Sequence, residues 1–398
     1  MKQYDVLLTY AWVRSSYAAL RSLTRLGLKV AVADTGKLGM GQWSRFSHFC
    51  GTYSQPLIYP LRFIEDVNNL LFETGAEFLL PGHDETEVFA KYREQLPQHI
   101  HLPVAEYDKI RRANDKSWTS SFAQEIGIPV PATIHWQNFT ELERRLSNMR
   151  GPVVIKLRRG NSAKGVFYAS SKKETLSLCE KLISEYELTP ERYPIIQKKI
   201  SGDGWGVSCL YWHGARIASF THRRLREKTV TGGTSTLRES QRHIELEAYA
   251  HNLLDKMEWH GLAMVEFKYD PESDSGWFIE INPRLWGSIH LAISAGVDFP
   301  ALLYIAATQG IDAARKLAKP QQEGIIARWY LGDLILAANK LRHFRLKEAF
   351  PLLLPGQEDT LDDFHKDDIR AFLGEVAYYL TSAIRYRSTN PVQQGMLG

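Results

Sequence analysis

The stretch from Val265 to Arg284 constrains this 398-residue chain most: Val-Glu-Phe-Lys-Tyr-Asp, then Pro-Glu-Ser-Asp-Ser-Gly, then Trp-Phe-Ile-Glu-Ile-Asn-Pro-Arg. Both flanks are rich in β-branched and aromatic residues, and Pro271, Asp274, Ser275 and Gly276 form turns, so the stretch reads as two strands and a tight turn. With Ser273 and Asp274 at the tip, Glu266 falls nearly opposite Glu280. Opposed Cβ atoms sit roughly 5 Å apart, so the two carboxylates call for a cation between them. Side chains alternate along a strand, which puts Glu280 and Asn282 on one face. Glu266, Glu280 and the Asn282 amide oxygen are hard donors with no Cys or His among them, a set for Mg²⁺ rather than Zn²⁺. An ordinary hairpin with a solvated acidic face is the alternative. Against it stands Arg284, an anion-binding side chain directly after the acidic strand.

Phe-Ile-Glu-Ile-Asn-Pro-Arg, with a Glu on the preceding strand, resembles the metal-binding hairpin of the ATP-grasp superfamily. The resemblance extends along roughly residues 1–310, in motifs that follow the family's order. Asn114-Asp-Lys-Ser-Trp-Thr followed by Gly127-Ile-Pro-Val-Pro resembles the entry to the ATP-binding domain, and there Lys116 would contact nucleotide phosphate. Gly151-Pro-Val-Val-Ile-Lys is a strand of buried type ending in Lys156, a residue that needs an anion. The loop after it carries Gly160, Asn161, Ser162, Lys164 and Gly165. It reads as a hairpin turn or as the glycine-rich loop that closes over the triphosphate in this superfamily. It is not a Walker loop. In Pro194-Ile-Ile-Gln-Lys-Lys-Ile-Ser-Gly, Gln197 stands where family members usually have a Glu that reads the adenine amino group. The Gln carbonyl can accept the same bond, and Lys198, Lys199 and Ile200 line the adenine edge, Lys198 and Ile200 through backbone groups.

The block His222-Arg-Arg-Leu-Arg-Glu, then Thr231-Gly-Gly, resembles a subgroup of carboxylate–amine ligases. Arg224 and Arg226 are forks suited to carboxylate or phosphate, and Gly232 and Gly233 allow close backbone approach to substrate. A basic solvated edge is the alternative. In the first hundred residues strands and helices alternate, which implies a parallel, doubly wound sheet. Pro81-Gly-His-Asp-Glu-Thr would open onto its crevice, so His83, Asp84 and Glu85 either touch substrate or cap the next helix. His290 reads as a packed helix residue.

The expected fold class is mixed α/β and α+β. A doubly wound pre-ATP-grasp domain spans 1–110. A two-subdomain ATP-grasp domain spans 111–310, its small lid subdomain at about 130–200. A mostly helical region spans 311–398, with helices over Arg328–Phe350 and Asp367–Arg387 separated by Pro351, Pro355 and Gly356. The resemblance implies ATP and Mg²⁺ as cofactors, with two ions and Mn²⁺ able to substitute. It implies a ligase joining a carboxylate to an amine through an acyl phosphate, releasing ADP, with Arg284, Arg224 and Arg226 as catalytic groups. A carboxylase or kinase acting on another oxyanion, and a non-catalytic nucleotide sensor, are the other readings. No biotin-carrier Met-Lys-Met motif is present.

Composition fits these expectations. The chain is 44% hydrophobic and 24% charged with a net charge of +4, an ordinary globular profile. The mild charge and the absence of a stacking-plus-basic motif argue against nucleic acid. No apolar run reaches the length of a membrane span, and the N-terminus enters a strand without a signal-peptide core. Three scattered cysteines fit a reducing cytoplasm. The partners expected are small-molecule substrates, not nucleic acid or membrane, in a chain compatible with a homodimer.

Overall fold

A computed structural model describes residues 3–160, 165–228 and 234–386. Its first sheet has the parallel order Cys50–Thr52, Val30–Asp34, Val6–Leu8, Phe78–Leu80. The two inner strands and the edge strand Phe78–Leu80 are fully buried runs, as expected of a sheet covered on both faces by helices such as Arg14–Arg25 and Pro60–Thr74. Strand order reverses between Val6–Leu8 and Phe78–Leu80. The loops leaving Leu8 and Leu80 therefore emerge side by side at a topological switch point, the usual ligand edge of such a sheet.

A small antiparallel sheet follows, ordered Thr133–Ile134, Ile195–Lys198, Val153–Lys156, Val166–Ala169. One face, with Ile134, Val153, Ile155, Ala169 and Ile196, packs with helices Phe139–Leu146 and Lys172–Glu185. The pleat then puts Val154, Lys156 and Gln197 together on the opposite face.

The third sheet has seven strands: Ser275–Asn282, Gly261–Asp270, Asp203–Trp212, Ala215–Glu227, Ser235–Ser240, Ile326–Arg328 and Thr360–Leu361. Val207, Val265, Phe267 and Ile281 face a core shared with the N-terminal region. The doubly wound sheet followed by two largely antiparallel sheets, the larger ending in one parallel pair, with a helical C-terminal region, fits the fold class expected from sequence. Two details differ. The predicted helix from Arg328 is preceded by the strand Ile326–Arg328, and the helices run Tyr330–Arg342 and Leu346–Leu353. Pro351 lies inside the second helix, two residues before its end, rather than between helices. A strand of three residues carries no readable period, and its pairing with Leu237–Glu239 on one side and Thr360–Leu361 on the other defines it.

Buried carboxylates fasten the C-terminal region to the rest. Asp362 receives Arg14 of the N-terminal helix at 2.6 Å and Arg238 of the large sheet at 2.5 Å. Asp363 accepts the backbone N–H groups of Tyr330 and Leu331 at 3.0 and 2.8 Å, capping helix Tyr330–Arg342. Asp368 accepts from Ser44 and Tyr17. Among the described residues no helix is long and apolar enough to cross a membrane.

Candidate active site

The strand pair brings Glu266 opposite Glu280 and Met264 opposite Asn282, the expected neighbours, through a bulge between Glu266 and Phe267 that the regular hairpin did not anticipate. The Asn282 amide donates to Glu266 Oε1 at 3.0 Å, and its Oδ1 accepts from Arg284 Nη2 at 3.1 Å. Both contacts require this amide orientation. Cations compensate the two carboxylates separately. Lys116 Nζ lies 3.2 Å from Glu280, and Arg224 Nη2 lies 2.7 Å from Glu266. Burial pushes the Glu266 carboxyl up, with the Glu280 charge adding to it. Burial would also raise Glu280, but Lys116 and Lys156 outweigh it and hold that carboxyl below its ordinary value.

Local sequence explains how these groups reach one row. Asp115 caps helix Lys116–Glu125, accepting from the N–H groups of Ser117 and Trp118 and from Arg158 Nε at 2.9 Å. Lys116, first in the helix, bonds through its backbone to the Arg158 carbonyl and through Nζ to the Gly160 carbonyl at 2.6 Å. Arg224 crosses the neighbouring strand at Gly204, where a Cβ would lie 2.8 Å from its Cδ. At Gly206 a Cβ would lie 2.4 Å from the His222 ring, so glycine is needed at both positions. His222 is buried beside Arg224 and Arg238, and burial followed by those two charges pushes it well down.

On the lid face opposite, Lys156 is buried, and burial lowers it to about 8 despite the attraction of Glu280. Gln197 Nε2 donates to Thr133 Oγ1 at 3.0 Å. The Thr133 hydroxyl donates its own proton to the Pro131 carbonyl, which settles the amide orientation. Gln197 Oε1 is thereby left buried with no partner, an acceptor awaiting a donor. Lys198 and Lys199 are exposed. Their backbone N–H groups bond to the Ala132 and Pro152 carbonyls, each at 2.9 Å. Ile200 is half-buried. Gly160 and Gly165 have φ of 132° and 74°, values that favour glycine. Asn161, Ser162, Lys164, Gly232 and Gly233 lie outside the described residues.

From the N-terminal sheet, Asp84 reaches Arg284 Nε at 2.8 Å and His83 Nδ1 at 3.2 Å. Burial would raise Asp84, but His83 and Arg284 hold it well below the usual carboxylate range. The His83 ring stacks on Tyr10 at 4.6 Å. Two residues lie elsewhere than their expected places. Glu85 turns inward, accepting from Thr9 at 2.7 Å and Gly82 N–H at 2.9 Å, and burial pushes it up to about 7. It braces the loop and does not line the cleft. Arg226 pairs with Asp333 of the C-terminal region and with Thr236 rather than with the carboxylate pair, because the strand is irregular between Arg224 and Arg226, though it lines the same cavity as Arg224. His290 is buried against Thr360, as its packed reading implied.

Sequence reasoning missed Glu87, which receives Arg159 at 2.8 Å and Asn114 at 2.6 Å. Its spacing of three from Asp84 in the turn leading into helix Glu85–Lys91 was the readable signal.

Two cavities flank the row Arg224–Glu266–Asn282–Arg284. One, of about 570 Å³, is lined by Gly202, Gly204, Arg224, Lys268 and the helices after Trp329. The other, of about 310 Å³, is lined by Lys116, Glu280, Asn282, Arg284 and residues of the N-terminal domain. Among the described residues no three His, Cys, Asp or Glu side chains cluster to hold a metal alone. Two carboxylates and an amide oxygen are an incomplete shell. That suits Mg²⁺, which usually keeps waters and takes substrate phosphate oxygens as further ligands.

Residues 191–330 match the family described as "ATP-grasp in the biosynthetic pathway with Ter operon". Urea amidolyase of Saccharomyces cerevisiae is 22% identical over 288 residues, 69% of this chain. This chain spans only 15% of that protein's length. The biotin carboxylase domain of 2-oxoglutarate carboxylase from Hydrogenobacter thermophilus, solved with MgADP and bicarbonate, superposes with a TM-score of 0.63 at 16% identity, covering 78% of this chain and 70% of that one. L-amino acid ligase from Bacillus licheniformis gives 0.59 at 15% identity, over 79% of this chain and 77% of that one. N5-carboxyaminoimidazole ribonucleotide synthetase from Thermus thermophilus gives 0.57 at 17%, over 80% and 79%. Residues 191–330 thus match an ATP-grasp family, and the chain as a whole shares the fold of these enzymes.

Proposed function

We propose that this protein is an ATP-dependent ligase that joins a carboxylate to an amine and releases ADP and phosphate. The observation that carries the reading is the row Glu266, Glu280, Asn282 and Arg284 facing a lid strand that holds Lys156 and an orphaned Gln197 oxygen. Mg²⁺ between Glu266, Glu280 and Asn282 Oδ1 would supply charge neutralisation at the phosphates. Gln197 Oε1 suits an exocyclic amino group of a base, with Lys198, Lys199 and Ile200 along its edge. Lys116 and Lys156 suit phosphate oxygens. Lys116 now sits on Glu280, so a bound phosphate would draw it off and free that carboxylate for the cation. Arg224 compensates Glu266 from the other side.

Arg284 is the group placed to align the reacting carboxylate. Three of its contacts are to protein: Asp84, Asn282 and the Leu285 carbonyl. The remaining N–H groups of the fork are left for an oxyanion. Arg284→Lys keeps the charge and loses the fork. We expect ADP release to fall about a hundredfold, from the ~2.7–4 kcal/mol typical of one lost transition-state donor, with nucleotide affinity little changed. Calorimetry beside an ADP-release assay measures both. Affinity that falls in step with activity would make Arg284 a ground-state binder. No ADP release by wild type with any acid would favour a nucleotide sensor.

A carboxylase reading draws support from the likeness to biotin carboxylase domains. Bicarbonate-dependent ADP release without an organic acid would select it.

Nucleotide binding should also take up a proton in a defined pH window. Lys156 is lowered to about 8 by burial, and a phosphate beside it would raise it again. Below that pH the amine is already charged, so binding takes up nothing. Above it, binding must charge the amine, so affinity declines as pH rises. Calorimetry in buffers of different ionisation enthalpy should show this uptake in wild type and none in Lys156→Met. Equal uptake in both would assign the proton to another group.

A further inference from the structure

We propose that the 310 Å³ cleft on the N-terminal side takes the acid to be activated, and that this acid is an aromatic monocarboxylate. The inference rests on the ligase reading and adds the substrate class. The two cavities lie on opposite sides of the carboxylate row and differ in neighbours. The larger adjoins Gly202–Gly204, shortly after the strand bearing Gln197, which puts it toward the base end of a nucleotide lying along that strand. The smaller opens onto Glu280, Asn282, Arg284 and Lys116, where a carboxylate would meet the transferring phosphoryl group.

Part of its wall is apolar, made by Leu57, Val88, Tyr92 and Tyr107, beside the polar Glu87, Lys91, Asn114 and Arg159. Leu57, Tyr92 and Tyr107 are half-buried against the core below, so they form a standing surface with flat rings that suit a ring of the ligand. The acidic side chains in the cleft are already paired. Asp84 holds Arg284, Glu87 holds Arg159 and Asn114, and Glu280 holds Lys116. No unmatched carboxylate awaits a substrate ammonium. Lys91 lies at the exposed mouth, 5.2 Å over the Tyr92 ring, outside the ring-lined part of the wall.

In the reaction, the acid's carboxylate oxygen bonds to the γ-phosphorus as the bond to the bridging oxygen breaks, and ADP leaves with that oxygen and its electron pair. The amine nitrogen then adds to the acyl carbon, phosphate leaves with the C–O electron pair, and the N–H proton passes to solvent.

The test uses hydroxylamine as the amine, with 3-phenylpropionate, acetate and succinate as acids, and reads ADP and hydroxamate. We expect 3-phenylpropionate to exceed the other two in kcat/KM by about tenfold or more, as burial of a ring implies. Leu57→Asp and, as a milder change, Tyr92→Ala should raise its KM by a similar factor and leave the KM for ATP unchanged. Calorimetry of 3-phenylpropionate with Mg²⁺ and a non-hydrolysable ATP analogue reads the site without turnover. Acetate or succinate used equally well, or a KM indifferent to both variants, overturns the proposal while the ligase reading stands. Binding that is lost in the variants, with no ADP released by any acid, upholds the site and overturns the ligase reading.

Discussion

Glu280→Gln is expected to abolish ADP release while leaving the fold intact. Glu280 stands opposite Glu266 and shares its face with Asn282, and its charge is held by Lys116 and Lys156. The amide keeps the shape and removes the charge that a divalent cation needs. Losing that cation forfeits several kcal/mol of charge stabilisation, on the order of a thousandfold or more in rate. Stability should change little, because two effects oppose. Lys116 loses its ion pair, while Glu266 loses a like charge directly across the strand pair. The measurements are ADP release against Mg²⁺ concentration and urea unfolding of the same preparation. Wild-type turnover with unchanged Mg²⁺ dependence would remove Glu280 from the metal site. Lost turnover together with a large drop in stability would make its role structural.

Asp362→Ala should give the largest loss of stability, about 3 kcal/mol or more. This carboxylate is buried between Arg14 and Arg238, and without it two guanidinium groups remain in the interior short of a counter-charge. Burial would raise Asp362, yet Arg238 and Arg14 outweigh it and hold it below the ordinary value. Its stabilisation is therefore present above the unfolded carboxyl pKa and is lost as pH falls through the lower folded one. Glu375 limits the damage. It lies 3.9 Å from Arg14 and is pushed well up by burial and by Asp363, so in the variant it can ionise and take part of the load. Asp362→Asn should lie between variant and wild type. Urea unfolding followed by tryptophan fluorescence suits the measurement, since Trp329 lies 3.8 Å from the Arg14 guanidinium. A change under about 1 kcal/mol would mean that the C-terminal strand docks without holding the N-terminal helix and large sheet together.

What the sequence determined by itself is local. Turn formers at Pro271–Gly276 and the strand pattern on either side bring Glu266 close to Glu280 from residues fewer than twenty apart, and a bulge between Glu266 and Phe267 sets the two directly opposite. The buried runs Val6–Leu8, Val30–Asp34 and Phe78–Leu80, separated by helical spacings, likewise imply a parallel sheet before any contact is known. Tertiary structure alone decided which long cations and distant carboxylates meet. Asp84 reaches Arg284 across 200 residues, Arg226 goes to Asp333 across 107, and Asp362 is shared by Arg14 and Arg238 across 348 and 124. A flexible arginine carries no period that names its partner, and in a buried setting its place follows from whichever carboxylate the packed elements bring within reach. The strands Ile326–Arg328 and Thr360–Leu361 are decided the same way, since two or three residues become a strand only when an open sheet edge supplies their hydrogen bonds.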